Sequence, residues 1–502
     1  MTRHEALRSW DGRRVVVAGL GVSGFAAAVA LAERGAHVLA VDDRDGPAER
    51  DKADLLRVLG ADVRLGDGAA AALPDVAGAP PELVVTSPGW RPTAPLLAGA
   101  ADRGVPVWGE VELAWRMRPA GAAPWLTLTG TNGKTTTVRM LASILQAAGL
   151  RATAAGNVGT PLLEAVLDPR PYDVLAVELS SFQLHWSHSI APRASACLNV
   201  APDHVDWHGS LAAYTAAKGR VYERTEVACV YNVADPATEA LVREADVVEG
   251  CRAVGFTLGV PDVSMLGVVD DVLADRAFVD ERATSAAELA TLEDLAADGG
   301  PVAPHTVANA LAAAALARAH GVPAAAVRDG LRGFRPDPHR IALVGSHAGV
   351  DWVDDSKATN PHAAGASLAA FDRVVWVAGG LAKGASFDDL VAAHRGRLRG
   401  VVLIGADRVP LRDALARHAP DVPVVEVTGA QTAGMAPVSA ESGRALMDDV
   451  VRAASWLARP GDTVLLAPAC ASMDQFRDYG ARGDAFADAV RDLLAGRRGA
   501  EG

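Results

Sequence analysis

Trp125-Leu-Thr-Leu-Thr129-Gly130-Thr131-Asn132-Gly133-Lys134-Thr135-Thr136 is the stretch whose reading decides the fold of this 502-residue chain. An apolar strand-forming run enters a glycine-rich loop. Lys and Thr follow, then a helix that carries Val138, Leu141, Leu145 and Ala148 on one face and stops at Gly149. Strand, loop and helix in that order cradle phosphates: backbone amides face the anion, Lys reaches the terminal phosphates and a hydroxyl serves Mg²⁺. The spacing is GxxGKT, two residues shorter than the usual phosphate loop.

Upstream, residues 119–124 form a Gly/Pro/Ala stretch that reads as a linker. Before it, a strand over 15–18 leads into Gly19-Leu-Gly21-Val-Ser23-Gly24. An Ala-rich helix to about residue 34 and a second strand ending at Asp42 follow. The glycines permit a tight turn and close approach of a diphosphate to a helix N-terminus. Alone, this pattern fits any diphosphate nucleotide, or a tight turn without a ligand. The next strand, Leu83–Thr86, runs into Ser87-Pro88-Gly89 at the carboxyl edge of the same sheet, where ligands tend to lie.

Downstream, a strand over 174–177 ends in Glu178, where a Mg²⁺ ligand from a second strand is expected in a phosphate-loop enzyme. Asp203-His204-Val-Asp206-Trp-His208 follows, with metal-ligating and plain hydrogen-bonding roles both open, and then a helix carrying Lys218. Asn309 starts a long apolar helix. Residues 334–340 are Pro-rich and read as a second linker. Beyond them, strands and helices alternate again, with polar signatures at successive strand ends: Asp354-Asp355-Ser356-Lys357-Ala-Thr359-Asn360, Gly379-Gly380, and Pro468-Ala-Cys470-Ala-Ser472-Met473-Asp474. The expectation is an α/β protein of three domains. Residues 1–117 form a Rossmann-like nucleotide-binding domain, 118–336 a central phosphate-loop ATPase-like domain and 337–502 a second Rossmann-like domain.

The chain holds five Lys against 43 Arg. Lys134, Lys218, Lys357 and Lys383 each lie in a chemically suggestive run, which points to sites that need a compact or modifiable amine. Lys52 reads as an ordinary solvated surface residue. A net charge of −13 argues against nucleic-acid binding. The four cysteines lack CxxC spacing, so neither a zinc site nor a disulfide framework is indicated. With no signal-type segment and no apolar run of membrane-spanning length, a soluble cytoplasmic protein is expected.

Taken together, GTNGKTT at 130–136, ELSSFQL at 178–184, DDSKATN at 354–360 and PACASMDQF at 468–476 resemble the Mur ligases, and within them the D-glutamate-adding branch. The resemblance covers nearly the whole chain. It implies ATP-dependent addition of D-glutamate to UDP-N-acetylmuramoyl-L-alanine through an acyl phosphate, in cytoplasmic peptidoglycan precursor synthesis, by a monomer acting on small molecules. It also implies residue roles. Gly19, Gly21, Ser23 and Gly24 would lie near the uridine diphosphate, Asp42, Asp43 and Arg44 near the uracil, and Ser87, Pro88, Gly89 and Asn157 near the substrate. Residues 130–136 would bind ATP together with Asn309, Arg340 and Asp355. Thr135 and Glu178 would hold one Mg²⁺. His204 and Lys218, the latter as a carbamate, would serve a second. Lys357 would sit near the transferred phosphate, and Thr359, Lys383, Ser472, Met473 and Tyr479 would line the glutamate pocket.

Tyr479 stands where the family often has Phe. The stretches at 270–304 and 429–442 are longer than the family pattern and read as variable surface. Three other readings compete with the ligase: an oxidoreductase using the first glycine turn, a folylpolyglutamate synthase sharing GTNGKTT, and a non-catalytic nucleotide switch.

Overall fold

The computed structural model describes residues 9–296, 302–335, 338–428 and 440–498. The chain divides into two units, Met1–Val302 with Thr306–Phe334, and Ala303–His305 with Arg335–Gly502. The first unit carries two sheets. One is fully parallel, ordered β3-β2-β1-β4-β5, from β1 (Arg14–Ala18), β2 (His37–Asp42), β3 (Asp62–Leu65), β4 (Leu83–Thr86) and β5 (Val107–Gly109). This is a doubly wound arrangement, and the glycine turn after β1 lies where the strand order reverses.

The second sheet holds β6 (Trp125–Thr129), β7 (Ala152–Gly156), β8 (Val174–Glu178), β9 (Ala194–Cys197), β10 (Ala228–Asn232), β11 (Arg252–Phe256), β12 (Met265–Val269), β13 (Val272–Asp275) and β14 (Ala287–Thr291). Its order is β14-β13-β12-β11-β10-β9-β6-β8-β7, with every neighbouring pair parallel except β12–β13 and β13–β14. Helix Pro304–Ala319 is buried on nearly every side, which its alanines permit by allowing close approach. Close approach is also seen at Gly330, where a Cβ would meet the Ile144 Cα at 2.4 Å.

The expectation of variable surface over 270–304 needs correcting for its described part. That segment supplies β13 and β14, which extend the sheet antiparallel and bury Leu273, Leu289 and Ala290. Most of 429–442 lies outside the described residues.

Buried carboxylates tie the two sheets of this unit together. In helix Glu110–Met117, Glu112 accepts from the His188 and Ser189 amides at 2.7 and 2.9 Å and from Ser189 Oγ at 2.6 Å. Glu110 accepts from the Leu163 amide at 2.8 Å, and burial pushes its carboxyl up to about 7. All four cysteines are free, although Cys229 and Cys251 bring their Sγ atoms to 3.8 Å.

The second unit has one sheet, ordered β15-β16-β20-β17-β18-β19, from β15 (Ala342–His347), β16 (Val350–Asp354), β17 (Val374–Gly379), β18 (Leu398–Ile404), β19 (Val424–Glu426) and β20 (Thr463–Leu466). Only β15 runs antiparallel to its neighbour. DDSKATN, Gly379-Gly380 and PACAS therefore leave the same carboxyl edge. No helix among the described residues is long and apolar enough to cross a membrane.

Candidate active site

The 130–136 loop leaves β6 and enters helix Lys134–Ala147 through Gly133, whose φ of +83° is a left-handed value that favours glycine. A Cβ at Gly133 would also meet Asn309 Oδ1 at 2.4 Å, so the structure sets Asn309 directly against the loop. Thr135 is buried in the first helical turn. Two residues that the sequence reading passed over shape the loop. Asn199 Oδ1 accepts from the Asn132 amide at 2.8 Å while its Nδ2 donates to the Asn132 carbonyl at 3.2 Å. Tyr214 Oη pairs with Thr131 Oγ1 at 2.9 Å.

Two lysines converge on one carbonyl. Lys134 Nζ and Lys218 Nζ each donate to the Gly130 oxygen at 2.8 Å, and Lys134 also donates to the Thr131 carbonyl. Lys218 is 1% exposed, with its ammonium 4.6 Å from the Tyr214 ring centroid. Burial, reinforced by the Lys134 charge, pulls its amine down to about 7. A substantial share of Lys218 is therefore neutral at physiological pH.

Glu178 ends β8 and is 1% exposed. Its Oε1 accepts from Asn157 Nδ2 at 2.9 Å, and its Oε2 is buried with no hydrogen-bond partner. An orphaned carboxylate oxygen on the strand beside the phosphate loop suits a cation, since a buried acceptor without a donor is otherwise costly. His204 adopts φ +50°, lies 3.6 Å from the Asp203 carboxylate and packs edge-on against Phe182. Among the described residues no three His, Cys, Asp or Glu side chains converge as a metal cage. A hard cation here would take most of its oxygens from phosphates and water.

In the first sheet, Gly24 packs so tightly that a Cβ would fall 1.8 Å from the Gly19 oxygen, and Ser87 Oγ donates to that same oxygen at 3.1 Å. Asp42 is buried and accepts from the Leu20 amide at 2.7 Å and from the Arg44 amide and guanidinium. Burial alone would raise its pKa, but the Arg44 side chain and the two amides outweigh it and hold the carboxyl below its ordinary value. Asp42 thus braces the turn and orients Arg44, while Asp43 accepts from the Ala70 amide. The reading of Lys52 as a solvated surface residue is overturned: its Nζ donates to the Leu20 carbonyl in the glycine turn at 2.8 Å.

In the second unit, His339 Nδ1 pairs with Asp354 Oδ2 at 2.6 Å. Asp355 is buried and bonded to Ser367 Oγ, and burial raises it to about 6. Lys357 Nζ donates to Tyr479 Oη. Arg482, 1% exposed and also missed from sequence, donates to Ser356 Oγ and Ser356 O and to the Cys470 carbonyl, which ties DDSKATN to PACAS. Gly380 allows the Leu381–Ala471 bridge, since a Cβ there would meet the Ala471 oxygen at 2.2 Å. Lys383 is exposed just beyond, with φ +50°. Thr359 is half-buried, Ser472 buried and Met473 64% exposed.

Three domain models match the chain in order: the Mur ligase MurD-like N-terminal domain at 13–109, the Mur ligase middle domain at 128–317 and the Mur ligase glutamate ligase domain at 339–470. The chain belongs to the Mur ligase family. Within it, the chain is 62% identical to the UDP-N-acetylmuramoylalanine--D-glutamate ligase of Streptomyces avermitilis, over 97% of this chain and 100% of that protein. It is 60% identical to the Streptomyces coelicolor protein of the same name, over 97% and 99%. Among solved structures, the fold is similar to a pseudomurein peptide ligase type C from Methanothermus fervidus, with TM-score 0.55 at 17% identity over 96% of this chain and all of that one. It is also similar to UDP-N-acetylmuramate-alanine ligase MurC from Thermotoga maritima, with TM-score 0.54 at 18% identity over 96% and 99%.

Proposed function

We propose that this protein is the ATP-dependent ligase that joins D-glutamate to UDP-N-acetylmuramoyl-L-alanine during peptidoglycan precursor synthesis, acting in the cytoplasm as a monomer. The observation that carries the chemistry is the pairing of Lys134 and Lys218 on the Gly130 carbonyl beside a helix N-terminus that faces a phosphate loop. Full-length identity to ligases of that name supports the substrate.

A carboxylate does not condense with an amine in water without activation. Attack of the substrate carboxylate on the terminal phosphate of ATP forms an acyl phosphate and ADP. The glutamate amine then attacks the acyl carbon, and the tetrahedral adduct collapses to amide and phosphate. The first step brings two anions together, so positive charge must offset their repulsion. In our assignment, carried over from the family resemblance, Lys134 and Lys357 supply it, while Asn309, Arg340 and Asp355 orient ATP. Magnesium ions, when bound, would neutralise phosphate charge, one held by Thr135 and Glu178 and a second served by His204 and Lys218. The orphaned Glu178 Oε2 supports the first of these sites.

Lys218 as an ammonium would repel a cation; its depressed amine favours reaction with CO₂, and the resulting carbamate presents anionic oxygen instead. The glycine turn at 19–24, with Arg44, Ser87, Pro88, Gly89 and Asn157, is assigned to the uridine nucleotide substrate. Thr359, Lys383, Ser472, Met473 and Tyr479 are assigned to glutamate. Domain limits at 117/118 and 336/337 complete the reading.

The test is phosphate release with ATP, UDP-N-acetylmuramoyl-L-alanine and a panel of D- and L-amino acids. Release is expected only when the nucleotide sugar is present, with D-glutamate preferred and Lys134→Ala nearly inactive. Equal hydrolysis of ATP without the nucleotide sugar would replace the ligase with an ATPase switch.

A further inference from the structure

The amino-terminal edge of the second sheet, opposite the phosphate loop, carries a cleft of about 300 Å³. Arg193 immediately precedes β9, Arg252 opens β11, and Arg318 and His320 close helix Pro304–Ala319. The loop leaves the other end of β6, a five-residue strand, so the two places lie on the order of 15 Å apart along the sheet.

The positive charge here is unevenly matched. Arg318 is fixed: it pairs with buried Asp275 at 2.8 Å and donates to the Val322 and Phe278 carbonyls. Asp275 in turn accepts from the Ala277 and Phe278 amides, which locks the turn bearing Phe278. The Arg252 side chain donates to the Ala277 carbonyl and lies 4.8 Å from the Phe278 ring centroid, with no carboxylate partner among the described residues. Arg193 makes no side-chain hydrogen bond or ion pair among the described residues, and its Nε is buried without an acceptor. His320 Nδ1 is likewise buried and unpartnered, and the neighbouring Arg193 charge adds to burial in keeping the ring neutral. The one carboxylate lining the cleft is Asp280, which is exposed and pairs with neither arginine.

Two guanidinium groups with no carboxylate partner among the described residues, set in a concave site beside an aromatic ring, leave their charge available to an anion. Guanidinium forks match phosphate oxygens in pairs. We propose that this cleft binds a small organic phosphate, its dianion between Arg193 and Arg252 and its carbon part against Phe278.

Calorimetric titration of the full-length Lys134→Ala protein, in which the phosphate loop is weakened, tests this with phenyl phosphate as probe. Binding is expected, and Arg193→Gln and Arg252→Gln should each weaken it about ten- to a hundredfold. Arg193→Gln removes no protein hydrogen bond, so an unchanged unfolding midpoint accompanies the loss. Phenol should give no binding and benzoate a weaker one. The proposal is overturned if phenyl phosphate does not bind, if its affinity survives both substitutions, or if phenol or benzoate binds equally well.

Discussion

Lys357 Nζ donates a 2.8 Å hydrogen bond to Tyr479 Oη and lies 4.5 Å from the centroid of the same ring. The hydroxyl at 479, the position where the family often has Phe, therefore acts as an acceptor that holds the Lys357 ammonium. Tyr479→Phe keeps the ring and removes the acceptor. With a hydrogen bond to a charged group lost, roughly 1.5–3 kcal/mol, kcat should fall about 10- to 150-fold while the fold is retained. Steady-state kinetics of the variant check this, and an unchanged kcat would remove Lys357 positioning from the role of the hydroxyl.

Lys218 is expected to carry a carbamate. Protein equilibrated with ¹³C-bicarbonate should show a carbamate carbon resonance that Lys218→Arg lacks. Because the amine sits near 7, the resonance should grow as pH rises from 6 to 8. Lys218→Ala should lose about a hundredfold or more in turnover, and acetate should restore part of it. A variant fully active without added carboxylate would end the proposal.

Lys383 lies exposed after Gly379-Gly380, and in our assignment it meets the side-chain carboxylate of glutamate. Removing a hydrogen bond to a charged group costs roughly 1.5–3 kcal/mol, so Lys383→Ala should raise the glutamate KM about 10- to 150-fold. The constants for ATP and the nucleotide sugar should stay nearly fixed. Equal losses for all three would point to a phosphate-facing role instead.

Glu110 links stability to pH. Its folded pKa of about 7 lies above the ordinary 4.5, so the folded protein binds the proton more tightly than the unfolded chain does. Stability from this group is present below the ordinary value and declines as pH rises through about 7. The Tm of the wild type relative to Glu110→Gln should therefore fall between pH 5 and 8. A difference independent of pH would show that Glu110 is ionised in the fold.

Much of this was legible because local patterns carried it. Apolar runs that break at Ser-Pro-Gly or at a glycine-rich loop marked Leu83–Thr86 and Trp125–Thr129 to the residue, and the glycine turns fell where strands end. What escaped were lone polar residues whose partners are distant in sequence. Asn199 acts on Asn132, Tyr214 on Thr131 and Arg482 on Ser356, and nothing in a window of ten residues marks such pairings. The β13–β14 hairpin escaped because its strands are short and, apart from Val272 and Thr291, lack the β-branched and aromatic residues that mark a strand, although Leu273 and Leu289 are enough to seat it at the sheet edge.

The Lys52 contact with the Leu20 carbonyl has a practical side. Every lysine in the chain belongs to a glycine turn, a phosphate loop or a strand-end cluster. Reagents that acylate amines, usually a gentle way to attach dyes or immobilise a protein on beads, will here reach lysines assigned to the site, the exposed Lys383 above all. Arginine covers the rest of the basic surface and does not react with them. A tag for imaging or capture belongs on an introduced surface cysteine, since Cys197, Cys229 and Cys470 are buried and Cys251 is only half accessible.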